Sequence, residues 1–586
     1  MALAKCVCSV GNVISALGVV VGLQSLGLWE TKFSDAHQPM PAPGAIIDSQ
    51  SDCPDKVIKR SLPDPVWAGV FGGEVTQEFI PNVIIIGSGV GGGSVARQLV
   101  GSGAKTLILE RGDFVPNEPE NSDAEAVYSQ QRYRTHEEYQ DEAGNRYRPS
   151  QYYYVGGHTK WYGAAMFRFR ERDFCKVDRE DGISPAWPIG YNDLEPWYDA
   201  AERLFGVRGQ AGIDPTEPPR SAGYAHDAVP HEPLIAEMAE RLARQGLRPF
   251  PNPVAIDFGP GGSCRRCGAC DAFACRYGAK GDGETRLIRP ILNHPDVQLW
   301  TKAQVTRLIP ASDGRIAAVE VLREGQLLRV EARTVVLSAG AINSALILLR
   351  SANEVYPDGI ANRSGVVGRY LMNHHLTGLV GLMPFRVNET KFTKTMAIND
   401  FYHGLPGDPD AGGNIQMLAN LKGPMIRSNI PWMPKLVADT VGQHSVDWLC
   451  MSEDLPSAES RVRLLPGDRV EVAYHPGGLA AHNRFVRHVR SHLRKIFPIV
   501  LHRPSGIKGP VHQCGTVRMG DDPTSSALNG LCQSHDHSNL HVVDASFFPS
   551  SAALNPALTV CAQALRVGAH LRDAWREANA AGVFPP

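Results

Sequence analysis

Val83-Ile84-Ile85-Ile86-Gly87-Ser88-Gly89-Val90-Gly91-Gly92 is the stretch on which the fold turns. Four aliphatic residues without polar alternation suit a strand covered on both faces, as in a parallel sheet. The glycines behind it fit G-x-G-x-x-G at Gly87, Gly89 and Gly92. The first allows a tight turn, the second lets backbone approach a pyrophosphate, and the third lets the next helix pack closely on the strand. A helix is predicted through Val95 to Leu99, and a second strand at Thr106-Leu107-Ile108-Leu109-Glu110. Glu110 closes that strand 18 residues beyond Gly92, where a carboxylate accepts hydrogen bonds from ribose hydroxyls. A glycine-rich turn with an incidental glutamate is the bland alternative, and the strand–turn–helix context weighs against it. The pattern selects a dinucleotide, FAD or NAD, and does not choose between them.

Outward from that start the chain alternates. Residues 118–150 are polar throughout and are expected to form a long loop or lid. A capped amphipathic helix is predicted from Asn192 to Val207, with Pro196 in its first turn. Strands are predicted at Val297–Trp300, Val305–Ile309 and Val319–Leu322. Thr334-Val335-Val336-Leu337-Ser338-Ala339-Gly340 gives a further buried strand, running into a glycine turn and then a helix through Leu349. Residues 371–505 are Pro-rich, with β-like alternation and no glycine fingerprint, and the nucleotide-binding theme returns at 540–575. The expected fold is therefore mixed α/β. A Rossmann-like dinucleotide-binding domain is built from 76–370 plus 506–580, with an inserted β-rich substrate domain at 371–505. Residues 1–75 stand apart as an extension.

A formal net charge of −2 and the lack of a basic arm argue against nucleic acid as a partner. The apolar fraction of 43% and charged fraction of 20% are those of a soluble globular chain. The charge-free run Cys6–Trp29 is long enough to span a bilayer but is interrupted by glycines and polar residues. It is a signal or anchor segment, a helix packed on the body, or an extension of little consequence, and these stay open. The expected location is cytoplasmic, with membrane association or export through residues 6–29 as the alternative.

Elements far from the fingerprint carry a resemblance. Val155-Gly156-Gly157-His158-Thr159-Lys160-Trp161-Tyr162-Gly163, Ser338-Ala339-Gly340-Ala341-Ile342, and His512-Gln513-Cys514-Gly515-Thr516-Val517-Arg518-Met519-Gly520 are three of them. Val542-Val543-Asp544-Ala545-Ser546-Phe547-Phe548-Pro549 and Asn555-Pro556-Ala557-Leu558-Thr559 complete the set. In this order they resemble the motifs of glucose–methanol–choline oxidoreductases, and most closely the flavin subunits of bacterial sugar and sugar-acid dehydrogenases. The resemblance implies FAD and hydride abstraction from a CH–OH group of a small polar alcohol: a sugar, sugar derivative or polyol. It implies cofactor contacts at Gly87, Gly89, Gly92, Glu110, Gly156, Gly157, His158, Thr159, Trp161, Val305, Asp544, Ala545, Asn555 and Pro556. It also implies catalysis by His512 as base, with Asn555 orienting the substrate oxygen. An imidazole suits that task because its ordinary pKa lies near neutrality. His158, His374, His375, His535 and His537 have weaker claims. Family members with a flavin–histidine link carry the histidine where this chain has Trp161, so the FAD is expected to be non-covalent. His158 itself departs from the family pattern.

Two alternatives differ in class. One is a flavin enzyme for an apolar alcohol, prompted by Trp432, Trp448 and several methionines in 371–505. The other is a non-catalytic flavin-binding subunit, against which His512 and Asn555 both speak. Finally, Cys264-x2-Cys267-x2-Cys270-x4-Cys275 approaches a ferredoxin spacing but has one residue too many and no proline. An iron–sulfur cluster delivering electrons to an external acceptor, a zinc site, disulfides and free thiols all remain readings of it. Arg265, Arg266 and Arg276 would favour thiolates.

Overall fold

The computed structural model describes residues 79–505 and 512–581. The extension 1–75, including the apolar run 6–29, lies outside the described residues. Among those described, no helix is long and apolar enough to cross a membrane.

The aliphatic run forms the centre of a five-stranded, all-parallel sheet. Its order is Val297–Trp300, Thr106–Leu109, Val83–Ile86, Thr334–Leu337, Leu540–Val542. Val83–Ile86 and Thr106–Leu109 are buried at every position, as their unbroken apolar character requires. Helix Val90–Leu99 packs so tightly on the long helix Ala557–Ala580 that a β-carbon at Gly568 would sit 3.0 Å from the Cα of Val95. The two chain ends of the cofactor unit are thus locked together.

A second, antiparallel sheet of six strands runs Ile499–Ser505, His375–Leu382, Ser445–Ser452, Asn414–Met417, Met396–Ile398, Phe250–Pro251. Helices Leu479–Leu493 and Pro233–Ala243 contribute to a core around Leu379, Trp448, Phe485 and Phe497. This sheet recruits its edge strand and one covering helix from residues 233–251, well upstream of 371.

Two local expectations are corrected. Within the polar stretch 118–150, Tyr139–Gln140 and Arg146–Tyr147 join Arg461–Leu465 and Arg469–Ala473 in a four-stranded sheet. The Tyr139 and Tyr147 rings meet edge to face and pack with Val470, Val472 and Leu346, which anchors what otherwise looks like a free loop. The helix expected from Asn192 spans Tyr191–Phe205, with Asp193 accepting from the Gly190 N–H and Gly206, at φ +63°, ending it. Pro196 therefore falls in the second turn, forgoing one helical hydrogen bond.

Candidate active site

The fingerprint glycines work through close backbone approach. Gly87 adopts φ +99°, and a β-carbon there would lie 2.2 Å from the Ser338 carbonyl oxygen. One at Gly91 would lie 2.2 Å from the Val543 carbonyl oxygen, and one at Gly92 2.1 Å from that of Gly87. The loop is therefore clamped between the Ser338 and Asp544 turns, so segments about 450 residues apart in sequence meet at the fingerprint. Gly89 is different: only the Cα of Gly157, 4.0 Å away, lies near its missing β-carbon. No side chain caps helix Val90–Leu99 and its first turn holds no acidic residue, so its amino end suits an anion.

Glu110 is buried. One of its oxygens accepts from the Ser88 N–H (3.1 Å) and hydroxyl (2.6 Å), the other from the Gly112 N–H (2.8 Å). Burial raises its pKa against those bonds and against Arg111. The second oxygen keeps a lone pair for a ribose hydroxyl. Val305 is buried on the strand Ala303–Pro310, whose first N–H donates to the Glu110 carbonyl. Gly156 and Gly157, at φ +92° and +61°, carry their segment up to Gly89. His158 is exposed at its surface, and the protein packed around it pushes its pKa down to about 4. The Thr159 hydroxyl is engaged internally, donating to Gly156 O and accepting from Gly283 N–H. Trp161 is buried, stacked on Tyr152 at 4.5 Å beside Tyr133 and Tyr154. Asp544 accepts from Gly340 N–H, Ser344 hydroxyl and Ser546 N–H, while burial raises its pKa. Pro556 caps helix Ala557–Ala580. A cradle of glycine backbone, an open helix end and a buried carboxylate at ribose distance in sequence fits FAD.

His512 is placed by two sets of backbone bonds. Gly515, Val517 and Met519 donate to the carbonyls of Ala545, Ser546 and Phe547. Cys514 and Met372 exchange N–H···O bonds of 3.0 and 2.9 Å as an antiparallel pair. Two residues outward on each strand, the same face brings His512 opposite His374. Their Nδ1 atoms are 3.0 Å apart with the rings nearly perpendicular, and His374 Nε2 donates to the Ser551 carbonyl at 2.9 Å. Burial, and secondarily the Lys394 ammonium, push the His512 pKa down to about 4, although the ring is half-exposed. Lys394 pairs with Asp271 at 2.8 Å. Asn555 Oδ1 accepts from Gln416 Nε2 at 2.6 Å, leaving its own amide N–H groups to point elsewhere. His375, His535 and His537 instead donate to the carbonyls of Gly477, Gly520 and Gly314 and brace loops. His374, Gln416 and Lys394 had little or no sequence signal: a histidine doublet for the first, and nothing for the other two.

The four-cysteine segment packs beside Trp161 through Ala269, Phe273 and Ala274. Its thiols are free, and among the described residues no three His, Cys, Asp or Glu side chains are arranged to hold a metal ion. Burial pushes the Cys270 thiol up to about 12 and raises that of Cys264 more than Arg266 lowers it, so the nearby arginines do not make thiolates of these two. As they stand, these residues do not fit a cluster. The segment is held instead by buried Lys280, whose ammonium donates to the carbonyls of Tyr162, Cys270 and Phe273, with that of Lys160 farther off at 3.3 Å. The apolar-pocket expectation also lacks its tryptophans: Trp448 is in the sheet core and Trp432 is 57% exposed.

Family models described as GMC oxidoreductase match residues 154–376 and 502–564. The chain is 32% identical over 520 residues to 6'''-hydroxyparomomycin C oxidase of Streptomyces lividus, covering 84% of this chain and 91% of that protein. It is 29% identical over 535 residues to 2-methyl-1,2-propanediol dehydrogenase of Mycolicibacterium austroafricanum, covering 84% and 95%. Its fold matches pyridoxine 4-oxidase from Mesorbium loti with a TM-score of 0.58 at 19% identity, over 84% of this chain and 99% of the other.

Proposed function

This chain belongs to the GMC oxidoreductase family and is an FAD-dependent alcohol-oxidising enzyme, and we propose that its substrate is a polyhydroxylated or amino-sugar alcohol. The observation that supports the reading is His512, an imidazole kept neutral at ordinary pH at the start of a segment whose backbone is hydrogen-bonded to Ala545–Phe547, beside the Asp544 turn. A neutral imidazole there takes the hydroxyl proton of the substrate as the C–H bond breaks. Asn555, its carbonyl occupied by Gln416, offers its amide N–H groups to the substrate oxygen. Bound FAD supplies the acceptor for the hydride, so the two electrons leave the alcohol carbon and a carbonyl product remains. The FAD is held without a covalent link, since the position for one carries Trp161, already packed among tyrosines.

The polar character of the substrate is supported by the relatives that act on an aminoglycoside and a diol, and by the burial of Trp448 in the sheet core. Anaerobic mixing of the flavin-loaded protein with amino sugars, neutral sugars, diols and long-chain alcohols tests it. Rapid bleaching by the first three classes is expected. Bleaching by the long-chain alcohol alone would overturn the substrate class, and none by any alcohol would overturn the reading of His512.

A further inference from the structure

We infer that His374 is a positioning residue for this oxidation: it holds His512 in the tautomer protonated on Nδ1, so that Nε2 is the bare base. The inference rests on His512 being the base and concerns how it is prepared. A carbonyl oxygen can only accept, so His374 Nε2, 2.9 Å from the Ser551 carbonyl, carries a hydrogen. A neutral imidazole has only one N–H, which leaves a lone pair on His374 Nδ1. That atom lies 3.0 Å from His512 Nδ1, and two lone pairs would repel at this distance, so His512 Nδ1 donates.

The one arrangement that would reverse this is a charged His374, and the site opposes it. The ring is 1% exposed, its titratable neighbours are the imidazoles His512 and His375, and burial holds its pKa well down against the pull of the Ser551 and Ala552 carbonyls. The Asp454 carboxylate is engaged elsewhere, accepting from Asn373 N–H, Gly477 N–H and the Tyr474 hydroxyl.

The acceptor end is fixed as firmly as the donor. The Ser551 hydroxyl accepts from Asp454 N–H and donates to the Asp454 carbonyl, while the Cys514–Met372 pair holds the two histidine backbones in register. The relay thus ends in a peptide carbonyl, where hydrolytic triads end in a carboxylate, and it orients the base without adding a negative charge. When His512 takes the substrate proton on Nε2, the Nδ1–H···Nδ1 bond persists and becomes charge-assisted.

Holoenzyme labelled with ¹⁵N-histidine tests this directly, with His512 assigned as the ring missing in His512→Asn. The expected spectrum has Nδ1 protonated and Nε2 bare. His374→Phe should give a mixture of tautomers and slow flavin reduction by the fastest alcohol of the panel about tenfold or more, with little change in its dissociation constant. His374→Asn, whose side-chain oxygen can replace the lost acceptor, should recover most of both. A wild-type His512 bare at Nδ1, or a His374→Phe enzyme with unchanged spectrum and rate, would sink the inference. If His374→Phe fails to fold, the wild-type spectrum and His374→Asn still decide. If His512→Ala keeps its rate while the wild-type tautomer is as stated, the assignment of the base fails and the tautomer assignment stands.

Discussion

The two sides of the cleft are specified by opposite means. On the cofactor side, Gly87, Gly91 and Gly92 act through what they lack, because backbone oxygens occupy the space where a β-carbon would be. On the other side, His374 and Gln416, at or beside strands of the antiparallel sheet, reach over as whole side chains and hydrogen-bond His512 and Asn555 across more than a hundred residues of sequence. Backbone contact cannot yield, since no rotamer change relieves it. Side-chain contact can be lost one bond at a time. Substitutions on the first side should therefore act on whether the enzyme exists, and on the second side on how fast it works.

Gly91→Val should have the largest effect, removing both bound flavin and soluble yield because the new side chain meets the Val543 carbonyl. Gly89→Ala is the internal control: it meets no protein atom closer than 4.0 Å and should yield folded, flavin-poor protein, seen as normal circular dichroism with a depleted flavin spectrum. If both variants retained flavin, the contrast would break. Next comes His512→Ala, expected to slow anaerobic flavin reduction by about 10² or more while the flavin stays bound. Gln416→Leu should be milder, roughly fivefold in kcat/KM, as befits one hydrogen bond of about 1 kcal/mol that orients Asn555. A drop as large as that of His512→Ala would show that the orienting layer is not separable from the chemistry.

The smallest effect is in the pH profile. His512 is held below its ordinary value, so its base form persists on acidification. Flavin reduction should be nearly flat from neutrality to about pH 5 and fall through about 4. An acid limb centred near 6.5 would mean the imidazole is more solvated than its surroundings imply.

Legibility followed the same division. The parallel sheet and its glycine loop were readable because a buried strand and a tight turn are written in contiguous residues, and Asp544 and Asn555 were singled out through motifs. Gln416 and Lys394 were not, because alternation along a strand tells which residues share a face but not that the face lines a cleft. His374 stood out only as half of a doublet; its meaning lies in the Met372–Cys514 register, which no local pattern encodes. Two-residue strands such as Tyr139–Gln140 are too short to carry a period. The tryptophans misled for a related reason: Trp448 faces the core below the sheet, and composition says nothing of direction.

The order of strands in the parallel sheet also bears on how the enzyme is made. Its last member, Leu540–Val542, pairs with Thr334–Leu337, so a nascent chain leaving the ribosome carries an open β-edge until some two hundred further residues have been translated. Asp544 and Asn555 emerge only after that strand, and the helix Ala557–Ala580 that clamps Val90–Leu99 comes last. A translation product truncated before Leu540 therefore lacks the last strand of the parallel sheet, Asp544, Asn555 and the clamping helix.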